Sequence, residues 1–255
     1  MERAIAVRDQ PLPDRIKAIT QPWVGTTAYL LGALGEADGI DPQPVTRYDA
    51  FDCLTFVEEV MALALSPDPS RAHEVRMALR YREGAPFTYA NRRHFMLAEW
   101  ISGTEDEGWT RDITADLPGA ERRSKEVTAE TWANWGPRRD FPLLDARLPV
   151  GTLDYHVLPL DVVEQDMDVI PDGALVWTVR VSSPRVPIVV THVGFKIPAE
   201  RPTLRHASKL GSGGVRDHSL AWYIEHQRTY DYWPVDGFLV MMPLEQGPRL
   251  TRSED

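Results

Sequence analysis

"YDAFDCLTFVEEV", residues 48–60, contains the only cysteine of the 255-residue chain and its first strong helix signal. Asp52 is a good N-cap type. From Cys53 onward Val57, Val60, Met61 and Ala64 recur at helical spacing. The stretch predicts a helix that opens at Cys53 and turns one face to the core. Two readings of the cysteine stand side by side. It precedes Val57 by four residues and so continues the apolar stripe, as a buried structural thiol would. It also lies in the first turn, near the positive end of the macrodipole, where a thiol's pKa falls and a nucleophile is favoured. A single cysteine excludes an intrachain disulfide and every site built from several thiolates.

The helical period extends outward from this stretch. A helical segment lies within 14–35, and "SPDPS" at 66–70 stops the Cys53 helix. A second helix covers Arg71 to Tyr81, and Asn91 caps a third that ends at Ser102-Gly103. Residues 103–170, rich in Trp, Pro and charge, read as an elaboration of loops and short helices. Trp109, Trp132 and Trp135 are core or loop anchors within it. Beyond 170 the period changes to two. "ALVWTVRV" (174–181), "IVVTHVGFKI" (188–197), "TLRHAS" (203–208) and "GFLVMMPL" (237–244) read as strands, "SLAWYIEHQ" (219–227) as a helix, and "GSGG" (211–214) as a turn. Helices first and an antiparallel sheet afterwards make an α+β chain, with 1–255 as a single domain.

Two histidines sit in predicted strands. Alternation puts Val189, Thr191, Val193, Phe195 and Ile197 on one face, and Ile188, Val190, His192, Gly194 and Lys196 on the other. A hairpin through "PAERP" (198–202) pairs Gly194 with His206. His192 and His206 become diagonal neighbours roughly 7 Å apart at the backbone. One imidazole can then take the proton of Cys53 while a second polar group orients it. The same pattern fits two unrelated hairpin histidines, and a one-residue slip would put them on opposite faces. Cys53, His192 and His206 also form a zinc-type ligand set with an open water position. Asp52 serves equally as a helix cap or as a receiver for a polar group of substrate.

"YDAFDCLTFVE", "NRRHF", "THVGF" and "RHAS", in that order, resemble a family of bacterial cell-wall amidases, the N-acetylmuramoyl-L-alanine amidase-like family of the NlpC-type papain-like cysteine peptidases. The resemblance implies a papain-like NlpC-type fold, with N-terminal helices packed on a C-terminal antiparallel sheet. It implies Cys53 as nucleophile, His192 as general base and His206 as the orienting residue. By the same resemblance Tyr48 lines the site and can add a hydroxyl donor, and Asn91 and His94 wall the cleft. The implied activity is that of a cysteine hydrolase cutting the amide between N-acetylmuramic acid and L-alanine of peptidoglycan or muropeptides, through an acyl-enzyme and without metal or cofactor. Other readings keep the fold and change the activity, to an endopeptidase of the stem peptide, a thiol acyltransferase or lipid hydrolase, or an inactive peptidoglycan-binding module.

A formal net charge of −10 argues against broad binding to nucleic acid or anionic membranes. No apolar run approaches the ~20 residues of a membrane span. The start "MERAIAVRDQPLPDR" lacks the basic, apolar and small-residue regions of a secretory signal. The expected location is cytoplasmic, or periplasmic and envelope-bound if a signal has been removed. The sequence points to no protein partner.

Overall fold

Asp52 is extended (φ −92°, ψ −178°), and its carboxylate accepts the Thr55 N–H at 2.8 Å. The Thr55 hydroxyl accepts the Asp52 N–H in return, closing a capping box that stabilises a helix start by about 1 kcal/mol. That cap sets the first residue of the central helix at Cys53. The computed structural model describes residues 2–66 and 68–245. The first half of the chain holds α1 (Glu2–Ala6), α2 (Leu12–Thr20), a short parallel pair β1 (Ala28–Tyr29) and β2 (Ala50–Phe51), α3 (Cys53–Leu65) and α4 (Ala72–Arg80). A π-helical turn at Met96–Ile101 runs directly into α5 (Ser102–Asp106).

The second half holds the strands β3 (Thr110–Asp112), β4 (Glu121–Val127), β5 (Gly151–Pro159), β6 (Leu175–Arg180), β7 (Val190–Ile197), β8 (Thr203–Ser208), β9 (Gly214–Ser219) and β10 (Val235–Pro243). Three helices interrupt them: α6 (Ala129–Asn134), α7 (Leu160–Gln165) and α8 (Leu220–Gln227). The strands form one antiparallel sheet in the order β4-β5-β10-β6-β7-β8-β9, with β3 on the free end of β10. The chain is therefore α+β. Alternation along each strand feeds two cores. Leu175, Trp177, Val193, Phe195 and Ala207 pack under α2, α3 and α4. Val176, Leu204, Phe238 and Val240 meet α7 and α8 on the opposite face, so helices cover both sides of the sheet.

Three local expectations change. The third helix does not start at Asn91, which lies in a 3-10 turn and bonds the Pro86 carbonyl and Thr88. Nor does it stop at Gly103. The glycine is there because a Cβ would meet Arg93 Nε at 2.9 Å, and the helix runs on through Asp106. The 103–170 segment contributes two long strands, β4 and β5, to the sheet edge in addition to its turns. The stop of α3 is as expected at its near side, where Ser66 is already extended; Pro67 lies outside the described residues.

α3 is buried on all sides, and this decides the fate of the two glutamates in the opening motif. Glu58 and Glu59 are 3% and 0% exposed. Arg80 Nε donates to Glu58 at 2.9 Å, and Arg76 binds Glu59 through Nε and, at 2.7 Å, through Nη2. Two acids on a buried helix are tolerated only because α4 delivers a guanidinium to each.

Candidate active site

Three elements converge on one cavity of about 440 Å³: the N-terminus of α3, the strand pair β7–β8, and α8. Cys53, His192, His206 and Tyr223 line it. Cys53 is only 9% exposed and belongs to the core cluster, yet its thiol forms part of the cavity wall. The two sequence readings of the cysteine are thus not exclusive.

The register of β7 and β8 pairs Phe195 with Arg205 and Lys196 with Leu204, which sets Gly194 opposite His206. A Cβ on Gly194 would lie 2.8 Å from the Cβ of His206 and 2.9 Å from the Arg205 carbonyl. Glycine is required there, and the gap lets the rings of His192 and His206 meet edge to face, centroids 4.8 Å apart. Nε2 of His192 lies 2.6 Å from Nδ1 of His206. One strand further out, Nε2 of His206 lies 2.8 Å from Nδ1 of His218 on β9. The result is a row of three imidazoles running across the sheet.

A β-bulge refines this picture. Thr178 pairs with His192 but Val179 pairs with Val190, so Thr191 is an extra residue. Val190 is thereby turned into the core with Val193 and Phe195 and does not share the face of His192.

The electrostatics follow from burial. Desolvation, with help from the Asp52 charge, pushes the Cys53 thiol up to about 12, against the pull of the Val193, Leu54 and Cys53 backbone N–H groups. Desolvation and the charge of Arg180 lower His192 to about 4. Burial lowers His206 well below the ordinary range, and the neighbouring imidazoles His192, His218 and His226 lower it further. At neutral pH the resting site holds a thiol and neutral imidazoles, not an ion pair. Among the described residues, Nδ1 of His192 makes no hydrogen bond, and Sγ is not bonded to it in this resting state. Such bonds commonly tighten only when substrate is bound.

The direction of protons along the row is constrained by these contacts. If His192 Nε2–H donates to His206 and His206 Nε2–H donates to His218, Nδ1 of His192 is a bare lone pair able to accept a proton. The reverse polarity would leave Nδ1 protonated and useless as a base. Nε2 of His192 and Nδ1 of His206 face each other across one hydrogen bond at 2.6 Å, so neither of these two nitrogens is free to take a metal.

The other predicted site residues are placed differently. Asp52 lines the cavity, but its carboxylate is occupied by Thr55 on Oδ1 and by the Gly32 N–H at 2.9 Å on Oδ2. Its visible role is to cap α3 and pin the 30–32 segment. Tyr48 is 42% exposed, stacks on Trp23 and is not part of the cavity wall. Asn91 and His94 are also outside that wall. His94 Nε2 contacts the Tyr89 carbonyl at 2.6 Å, and burial lowers its pKa to about 4. The "NRRHF" block instead ties segments together, Arg92 to Glu36 and Asp41, and Arg93 to Glu107.

Residues that sequence reasoning passed over stand in or beside the cavity. Tyr29 lines it, because the β1–β2 pairing places Tyr29 next to Phe51. Burial raises its hydroxyl pKa to about 12, with the Cys53 and Asp52 charges adding to the effect. Tyr223 bonds Thr178 at 2.8 Å and packs against both His192 and His206. His218 could have been found from the alternation in "VRDHS", had the strand after Gly214 been seen.

The chain and its fold have counterparts among known proteins. The chain belongs to the amidase-like hydrolases described as N-acetylmuramoyl-L-alanine amidase-like, whose family model matches residues 18–230. That span contains Cys53 and all three histidines of the row. Among solved structures, a Legionella pneumophila protein aligns over 95% of this chain and 92% of its own, at 24% identity and a TM-score of 0.80. An N-acetylmuramoyl-L-alanine amidase from Bacteroides uniformis aligns over 91% of this chain and 98% of its own, at 23% identity and a TM-score of 0.71. At such identities the likeness is one of fold. Among curated protein sequences, none matches. No helix among the described residues is long and apolar enough to cross a membrane.

Proposed function

We propose that the protein is a cysteine amidase of NlpC-type, papain-like build that cuts the bond between N-acetylmuramic acid and the L-alanine of peptidoglycan fragments. One observation carries the reading: Cys53, at the start of a helix, shares a cavity with a histidine whose Nε2 is bonded to a second buried histidine. Membership of the amidase-like family supports this choice of bond.

In this reading His192 Nδ1 takes the Cys53 proton as the sulfur attacks the lactyl carbonyl, so that thiolate is formed only in the act of attack. The Thr55 N–H is taken by Asp52, whereas the Cys53 and Leu54 N–H groups at the head of α3 have no intrahelical acceptor. They, with the Tyr29 hydroxyl, are the donors for the oxyanion. His192 passes its proton to the departing amine of alanine, then activates water to release the acyl group. His206 holds the ring so that Nδ1 remains the basic nitrogen. The site of action is the cell envelope or wherever wall fragments are taken up. The direct test is mass spectrometry of purified muropeptides after incubation with wild type and Cys53→Ala. Free stem peptide plus its sugar from wild type alone is the expected result. Cleavage inside the stem peptide would change the bond, and no cleavage of any wall fragment would end the reading.

A further inference from the structure

Among the described residues, each of five buried guanidinium groups stands against a carboxylate: Arg15 on Glu245, Arg76 on Glu59, Arg80 on Glu58, Arg93 on Glu107 and Arg205 on Asp217. Arg180, half-buried at the end of β6, does not. It lines the cavity of Cys53 and His192. Its Nε donates to the Thr191 hydroxyl at 3.1 Å and its Nη1 to the Trp233 carbonyl at 2.8 Å. Its guanidinium carbon sits 4.3 Å from the centroid of the Tyr230 ring and 5.8 Å from that of Trp233. Every one of these partners is neutral.

The clamp fixes the plane of the guanidinium, and all of its partners, the Tyr230 hydroxyl included, are neutral groups that leave its charge without an anion. A cation drawn half out of water without an anion is costly to maintain. Its charge is also felt at His192. The other charges on the cavity wall do not neutralise it. Asp52 makes no ion pair with Arg180, its carboxylate being turned to the Thr55 and Gly32 N–H groups, and Lys209 adds a second, exposed cation. In a chain of net charge −10, a cation with no carboxylate partner on the wall of the cavity that holds Cys53 and His192 marks where an anion belongs.

We propose that Arg180 is the carboxylate-recognition residue of this site, and that the substrate is an amide bearing a free carboxylate near the scissile bond. This rests on the amidase reading of the same cavity and adds a specificity to it. A muramoyl tripeptide ending in lysine offers two such groups, the free carboxylate of the second stem residue and the one at the end of the peptide. A guanidinium fork binds either one bidentately, and a carboxamide of the same shape lacks the charge.

The test uses muramoyl peptides in which one carboxylate at a time is converted to a carboxamide. Wild type should lose about tenfold to a hundredfold in kcat/KM, chiefly through KM, for one of the two conversions. The position that matters identifies the group. Arg180→Met should cleave the acid and its amide equally poorly, and Arg180→Lys, which keeps the charge without the fork, should fall between. Cleavage of acid and amide forms within about twofold by wild type would overturn the proposal, as would discrimination that survives in Arg180→Met. Calorimetric binding of the same peptides to Cys53→Ala and to Cys53→Ala/Arg180→Met reads Arg180 without turnover. A preference for acid that disappears with Arg180 supports the inference even if no bond is cut. Equal affinity for acid and amide defeats it even if the amidase activity is real.

Discussion

Midway along α3, Glu58 and Glu59 are buried as deeply as the core leucines, and Arg80 and Arg76 are held against them. At the head of the same helix Cys53 shares a cavity with His192, itself bonded to His206, with no carboxylate among their hydrogen-bond partners. Both regions bury titratable groups, and they resolve the cost in opposite ways. In the middle the charge is held by pairing: burial raises the Glu59 carboxyl against the pull of Arg76 and Arg80, while on Arg76 the Glu59 charge outweighs burial and the guanidinium pKa rises; the bidentate contact between them favours the charged pair. At the head the charge is given up, and thiol and imidazoles stay neutral. A compensated pair is inert. A set of neutral donors and acceptors can still exchange a proton when a substrate supplies the reason.

Deleting one member from each region should separate the two behaviours. His192→Ala should lower kcat by about 10⁴-fold or more. It should cost only about 1–3 kcal/mol of stability, the penalty of leaving His206 Nδ1 without its partner. Glu59→Leu should do the reverse. It strands Arg76 in the core and should cost about 3–5 kcal/mol in denaturant unfolding, while the folded fraction keeps its kcat. Adding Arg76→Met to Glu59→Leu should recover most of that loss, because an apolar pair replaces an ion pair. If His192→Ala proved the more destabilising of the two, the division between a structural and a chemical region would fail.

Acid pH sharpens the contrast. His192 and His94 are each lowered from 6.5 to about 4, chiefly by burial, and burial with the neighbouring imidazoles lowers His206 well below its ordinary value. The unfolded chain therefore binds more protons than the native one between these values. The stability these groups contribute is present above about 6.5 and is lost as pH falls toward 4, by roughly 3 kcal/mol for His192 alone. Unfolding free energy measured from pH 7 down to 4 should decline, and in His192→Ala the slope should be shallower by about one proton. An unchanged slope would mean that His192 is protonated in the native state.

How much of this was visible in the chain depended on whether the signal was local. The Asp52 cap and the start of α3 were legible because a capping box is a four-residue event. The approach of His192 to His206 was legible because a short hairpin leaves few registers and Gly194 marks the gap. The Thr191 bulge was not, since period-two patterning carries no sign of an inserted residue. Tyr29 was hidden behind a two-residue parallel pairing with a distant segment, and Tyr48, closer in sequence, lies outside the cavity wall. The edge strand β4, "ERRSKEV", is too charged to read as sheet; its Lys125 is buried only because Nζ reaches the Ser183 carbonyl. The same polarity concealed β9, and His218 with it.

His218 offers the smallest and most discriminating effect. It lies beyond contact with Cys53 in the row, half-buried, stacked on Trp222 with centroids 4.2 Å apart. Burial is the largest influence lowering its pKa; the neighbouring His226 lowers it further, Asp217 opposes, and Arg216 adds a smaller push downward. Its Nδ1 accepts from His206 only in the polarity that leaves His192 Nδ1 basic. His218→Ala should therefore reduce kcat by about tenfold with KM unchanged, the scale of one lost orienting hydrogen bond. His218→Asn puts an amide oxygen where Nδ1 stood and should restore most of the rate. A residue that merely filled space would respond to side-chain volume, so Ala and Asn would differ in stability and not in kcat. Equal kcat values for the two variants would therefore mean that the tautomer of His192 is set by its own surroundings and that the row functions as a pair.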